Sequence, residues 1–231
     1  LKKLLIRKPE LLKSSYVSHY ELKRLGSKYG GWVFTDAPFQ QKSTDLVFVS
    51  GGLGEDASFD IEFACEYESR IFLVDPTPKA IAHYNSIIDR VGKSREENYN
   101  IQGGKQSAKS YPLDQLKGSM QLIPLAIWNE TTELEFFLPA DPSHVSCSIS
   151  DIQHNNSKAG DHIKVNGVKL KDLCDDFNIN TQKIDILKLD IEGAEIEVLN
   201  DILPFSIKPT QILVEYDELL FPSRQNYVRV Q

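Results

Sequence analysis

Leu46-Val47-Phe48-Val49-Ser50-Gly51-Gly52-Leu53-Gly54-Glu55-Asp56 is the stretch on which the reading of the fold depends. Four apolar residues run into a glycine cluster, and a second apolar run, Ile71-Phe72-Leu73-Val74, ends in Asp75, 21 residues beyond Gly54. Glycines without a Cβ let a strand bend sharply into a helix and leave bare backbone for a ligand. A carboxylate closing the next strand can accept a pair of ribose hydroxyls. The spacing predicts a strand–helix–strand unit with a nucleotide-type cofactor on Gly51, Gly52 and Gly54 and its ribose on Asp75. The plainer alternative is an ordinary tight turn whose acidic helix start complements the helix dipole.

The residues after the glycines bear on which cofactor fits. Gly52-Leu53-Gly54-Glu55-Asp56-Ala57 satisfies the loose dinucleotide fingerprint, so NAD is one candidate. A dinucleotide sets its pyrophosphate on the first amides of the helix, where Glu55 and Asp56 would add negative charge to negative charge. S-adenosylmethionine carries a ribose, no phosphate, a sulfonium and an ammonium group, and the same carboxylates attract it. The charge pattern favours this methyl donor.

Working outward, Phe59, Phe63, Ala64 and Tyr67 recur at helical spacing, with Asp60, Glu62 and Glu66 assigned to the opposite face. Thr77 and Pro78 form a cap and first-turn pair before a stripe of Ala80, Ile81, Tyr84, Ile87, Ile88 and Val91, which predicts a second helix. Residues 92–120 turn polar, contain Gly103-Gly104 and read as a surface insertion. Leu122 to Ile127 reads as a third buried strand and Glu133 to Leu138 as a fourth extended segment. Asp141 to Gly160 reads as a loop carrying His144 and His154. Asn166-Gly167 signals a hairpin within Ile163 to Leu170, and Leu170, Leu173 and Cys174 suggest a short helix. Ile184 to Leu189 is a buried strand ending in Asp190, Glu195 to Leu203 a helix, and Ile212 to Tyr216 a strand carrying Glu215 and leading to Asp217. Strands alternating with helices predict an α/β, Rossmann-like, doubly wound and mostly parallel sheet. Ligands of such sheets lie beyond the carboxyl ends of the strands at the switch point, where Gly52 and Asp190 should meet.

The chain of 231 residues, 41% hydrophobic and 26% charged, is ordinary globular composition for one sizeable domain. A net charge of −7 argues against a nucleic-acid partner, because phosphate neutralisation requires a basic face. The first 30 residues are the exception, with eight Lys or Arg against Glu10 and Glu21. They are expected to form a basic N-terminal helical arm, solvated or touching an acidic or membrane surface. Residues 31–231 are then the main domain. Cys65, Cys147 and Cys174 form no CxxC pair, which fits free thiols and a cytoplasmic setting. Oligomeric state is not readable.

The string Leu187-Lys188-Leu189-Asp190-Ile191-Glu192-Gly193-Ala194-Glu195 resembles the Lys-x-Asp-x-Glu-Gly-Ala-Glu signature of FkbM-type, S-adenosylmethionine-dependent methyltransferases. Supporting segments are Gly26 to Trp32, Gly52 to Asp56, Val74-Asp75-Pro76-Thr77-Pro78, Pro124 to Trp128 and Ile212 to Tyr216, so the resemblance spans roughly residues 26 to 220 in the family's order. It implies a class I methyltransferase fold, often acting on hydroxyl groups. The expected acceptor is a small molecule, glycan or lipid. Against that pattern, Ser50 and Gly51 stand where many class I enzymes carry an acidic residue, so the cofactor's amino group is expected to rely on Glu55, Asp56 or the segment before the strand. Too few residues follow Phe221-Pro222-Ser223 for the usual antiparallel C-terminal strands, which the chain is expected to lack.

By the resemblance and by charge, Gly51, Gly52, Gly54, Glu55, Asp56, Asp75, Ala126, Ile127 and Asp190 are the candidate cofactor residues, with Ala126 and Ile127 beside the adenine. Asp190, Glu192, Glu215 and His144 are candidates for orienting the acceptor or removing its proton. Each has a structural alternative: Asp75 as a cap for the Pro78 helix, Glu192 as a helix-start charge, His144 as a solvent-exposed loop residue. Lys188, inside a buried strand, must end paired. Convergent carboxylates also leave a divalent metal open as a minority option. Besides the oxidoreductase reading, a non-catalytic Rossmann-like binding protein is the third alternative.

Overall fold

The computed structural model describes residues 20–42, 44–137, 162–202, 204 and 207–216. It opens with an antiparallel hairpin, β1 (Leu22–Leu25) and β2 (Trp32–Thr35), turned at Gly26 with φ of +88°. The helical arm expected for residues 1–30 is thus corrected at its end. Leu25 and Phe34 are buried while Leu22 and Val33 are exposed, an alternation that suits a strand packed on one side. Residues 1–19 lie outside the described part.

A short helix α1 (Ala37–Gln41) leads to β3 (Leu46–Gly51), α2 (Ser58–Glu66), β4 (Ser69–Val74) and α3 (Pro78–Ile88). Then follow β5 (Ser119–Ile123), β6 (Ala126–Trp128), β7 (Thr132–Phe137), β8 (His162–Lys169), α4 (Leu170–Asp176), β9 (Ile186–Leu189), α5 (Glu195–Ile202) and β10 (Gln211–Val214). The central sheet is five-stranded, in the order β10-β9-β3-β4-β5, with every pair parallel.

Alternation along β3 sorts the core into two layers. Leu46 and Phe48 join Phe34, Phe39, Phe59, Phe63, Ala80 and Ile87 on the face covered by the hairpin, α2 and α3. Val47 and Val49 join Leu173, Cys174, Val198 and Ile202 of α4 and α5 on the other. Helices on both faces explain why β3 is buried at every position. α3 begins as its sequence predicts: Pro78 opens it and the Thr77 side chain accepts from the Ala80 N–H.

Four expectations are corrected. The stretch Leu122 to Ile127 is two strands in two sheets, because Pro124 has no N–H for the ladder and Leu125 N bonds Ile123 O in a tight turn. β8 runs straight through Asn166-Gly167 instead of turning there, pairing with β6 on one side and β7 on the other. A Cβ on Gly167 would press against the Leu134 side chain, which would have to shift. Asp60 is buried, 1% exposed, and not on a solvated face. The polar insertion is only half superficial: Gln106, Ser110, Tyr111 and Leu113 are buried, and the Tyr111 hydroxyl accepts from Ala57 N at 3.0 Å. The expected absence of C-terminal strands falls on residues 217–231, outside the described part. Among the described residues no helix is long and apolar enough to cross a membrane.

Candidate active site

The carboxyl edge of the sheet is stitched by a row of backbone hydrogen bonds that continues past the strands. Glu215 N donates to Leu189 O (3.0 Å), Asp190 N to Gly51 O (3.2 Å), Gly52 N to Val74 O (3.0 Å) and Asp75 N to Ile123 O (3.1 Å). Parallel pairing in register therefore brings Glu215, Asp190, Gly52 and Asp75 into one line, although 140 residues of chain separate Asp75 from Glu215 at its ends.

The glycines earn their positions. Gly52 and Gly54 have φ of +81° and +54°, and a Cβ on Gly52 would collide with the Asp190 carbonyl. A Cβ on Gly51 would lie 3.0 Å from Ile191 Cγ2 and 3.1 Å from Ile127 Cδ1. The turn thus presents backbone alone, with Ile127 and Ile191 beside it. Ala126 faces away into the small core of the second sheet with Phe136 and Val165.

Asp75 organises the turn. Its Oδ2 accepts from Leu53 N (3.0 Å) and Gly54 N (2.9 Å), and its Oδ1 from Thr77 N (2.8 Å) and Thr77 Oγ1 (2.7 Å). These four bonds fill the acceptor sites of a carboxylate. A ribose hydroxyl would take the place of the rotatable Thr77 hydroxyl at Oδ1.

Glu55 and Asp56 differ from their expected, freely attractive state. Glu55 pairs with Lys105 of the insertion at 2.7 Å, and its carbonyl accepts from Gln106 N. Asp56 accepts from Ser27 Oγ (2.6 Å), Gly30 N (3.2 Å) and Ser58 N (2.9 Å), so it fastens the loop between β1 and β2 to the start of α2.

On the other side of the glycines, Asp190, Glu192 and Glu215 gather. Burial raises the Asp190 carboxyl above the ordinary range, with Asp75 adding to the shift and Lys188 opposing it. Glu215 is raised by desolvation and by Asp190 and Glu192. Glu192 sits in the left-handed region at φ +54°, ahead of Gly193 at φ +96°. Glu195 ties this turn together, accepting from Ile191 N (2.9 Å) and Gly193 N (3.1 Å). Tyr29 overlooks the cluster; its ring lies against Gly104, and its phenol is raised by desolvation, then by Glu192, Asp190 and Glu215. Among the described residues no group of three His, Cys, Asp or Glu is arranged to hold a metal. His144 and His154 lie outside the described part.

Sequence reasoning missed the polar supports of this edge. Tyr111 OH meets both Ala57 N and, at 2.9 Å, His83 Nε2, from a segment read as superficial; the local signal was the apolar Tyr111-Pro112-Leu113 within it. Trp32 lies over the Lys188 ammonium, 5.5 Å from its ring centroid, a contact no spacing announces.

Comparison with protein families matches residues 52–228 to the methyltransferase FkbM domain, which covers every strand and helix from the glycine turn onward. No curated protein and no solved structure matches the chain.

Proposed function

The chain belongs to the FkbM methyltransferase family, and from that premise we propose that it moves a methyl group from S-adenosylmethionine to a hydroxyl of a sugar, lipid or secondary metabolite, on a class I, Rossmann-like sheet. The observation that carries this reading is the hydrogen-bonded row Glu215, Asp190, Gly52, Asp75, since it sets a bare-backbone turn between a ribose-type carboxylate and a second group of acids.

The residues present fit the cofactor. Gly51, Gly52 and Gly54 offer backbone, Asp75 offers Oδ1, Ile127 offers an apolar wall, and the surplus of carboxylates suits a cation. Glu55 and Asp56 would act through the loops they fasten, and Ala126 through the packing behind Ile127. When bound, the cofactor supplies an electrophilic methyl on a positively charged sulfur.

The chain's own contribution is orientation and proton removal. Asp190, Glu192 and Glu215 line the side of the glycines away from Asp75, the side assigned to the acceptor hydroxyl. A carboxylate with a raised pKa is a stronger base than a free one, so Asp190 and Glu215 are the better placed to accept the hydroxyl proton. His144 stays a proposed alternative base.

A second reading rests on one contact. The Lys105–Glu55 ion pair cancels a negative charge beside the turn, so charge alone no longer rejects the pyrophosphate of NAD. Family membership argues for the methyl donor.

Calorimetric titration with S-adenosylmethionine, S-adenosylhomocysteine and NAD in parallel tests the choice. Binding of both adenosyl compounds without NAD is the expected result; NAD binding alone would overturn it. Transfer of labelled methyl to a panel of hydroxylated acceptors then separates an enzyme from a non-catalytic binder.

A further inference from the structure

A lysine within a fully buried parallel strand is unusual, because its charge must be solvated by protein. Lys188 is 4% exposed and lies between Leu187 and Leu189, which point into the opposite core layer. Its ammonium donates to Gly52 O at 2.7 Å, stands 3.5 Å from Gly51 O and 3.7 Å from Asp190 Oδ2, and lies over the Trp32 ring. On the α2 side it faces the buried Asp60 carboxyl, which the Ser50 hydroxyl approaches. One cation thus touches the end of β3, the end of β9 and the hairpin.

We propose that Lys188 is a positioning residue, which clamps the Gly51–Gly52 carbonyls to the Asp190 carboxylate from beneath so that the cofactor turn and the acceptor-side acid keep one fixed separation. The proposal rests on the reading of the strand-end row given above. Gly51 O already accepts from Asp190 N, and the ammonium supplies a directed donor to Gly52 O. Asp190 meets like charge from Asp75 on β4 and from Glu215 after β10; Glu192 acts on Glu215, and the neutral Tyr29 phenol of the hairpin loop faces all three acids. Lys188 supplies the opposing charge. Without it, Asp190 would hold its proton to higher pH, and the turn would lose its tie to β9.

The test uses the free protein, so it does not depend on the cofactor. The carboxyl carbon of Asp190, assigned by its loss in Asp190→Asn, is followed by NMR as pH varies in the wild type, Lys188→Gln, Lys188→Met and Lys188→Arg. Gln keeps a donor for Gly52 without the charge, Met removes both, and Arg keeps the charge. The midpoint is expected to rise by about one pH unit, a tenfold change in proton affinity, in Gln and Met and to stay near the wild-type value in Arg. Binding of S-adenosylhomocysteine, measured alongside, is expected to weaken about tenfold in Met and less in Gln. An unmoved midpoint in Lys188→Gln would reduce Lys188 to packing and overturn the proposal, even if Lys188→Met failed to fold. A wild type that bound neither adenosyl compound would retire the cofactor reading, while the titration would still decide the role of Lys188.

Discussion

A single methyl added at Gly52 meets the carbonyl of Asp190 and a φ of +81° that side chains rarely adopt. Gly52→Ala is expected to lower stability by more than about 2 kcal/mol, read by urea unfolding, and to abolish adenosyl binding in whatever fraction stays folded. His83 offers a pH signature. Burial holds its imidazole down to about 4, against the pull of Asp56 and Glu55. The Tyr111 hydroxyl accepts from Ala57 N and stands 2.9 Å from His83 Nε2, a contact in which the imidazole tautomer decides which group donates. Because the folded pKa is depressed, the unfolded chain binds the proton first as pH falls below 6.5. His83 thus withdraws up to roughly 3 kcal/mol of stability between there and pH 4. His83→Gln should flatten that part of the stability profile, and an unchanged slope would show that the ring titrates normally. At this scale Gly52, Asp75 and Asp190 were legible, since a strand end followed by glycine or acid is a local pattern. The engagement of Glu55 with Lys105 and of Asp56 with Ser27 was not, because each partner arrives from a distant loop.

The same distinction governs the elements. α3 could be read from Thr77 and Pro78 because its start is decided by its own residues. β8 could not, because the turn preference of Asn166-Gly167 yields to two flanking strands and to Leu134, whose side chain packs where a Cβ on Gly167 would press. The insertion is the element whose role changed most. Its Gly92 N–H closes on Leu113 O, and Tyr111 reaches beneath the glycine turn to the start of α2. Tyr111→Phe leaves the ring in place and removes only the hydroxyl. It should cost about 1–3 kcal/mol and speed hydrogen exchange at the Ala57 amide. Loss of stability without faster exchange at Ala57 would mean the anchor lies elsewhere in the segment.

For the molecule as a whole, the two core layers hang on the same sheet, so damage to either should be felt across it. Phe63 is the hub of the hairpin-side layer, with the rings of Phe34, Phe39, Phe48, Phe59 and Tyr67 at centroid distances between 4.7 and 6.2 Å. Phe63→Ala is expected to destabilise by about 3–5 kcal/mol and to shift near-UV and far-UV unfolding curves together. Curves that separate would show the layers melting independently. The parallel sheet was legible because alternating strands and helices admit few arrangements; the second, three-stranded sheet was not, because its founding event is one proline, Pro124, that diverts the chain out of the first.

The insertion carries a lesson about descent. From residue 92 to 98 every position is exposed, whereas Gln106, Ser110, Tyr111 and Leu113 are sealed into the interior, so open surface and packed frame share one short segment of chain. Substitutions should be tolerated freely from residue 92 to 98 and poorly at Gln106, Ser110, Tyr111 and Leu113. A lineage of this chain would therefore show its divergence at 92–98 and near-silence at the four sealed positions.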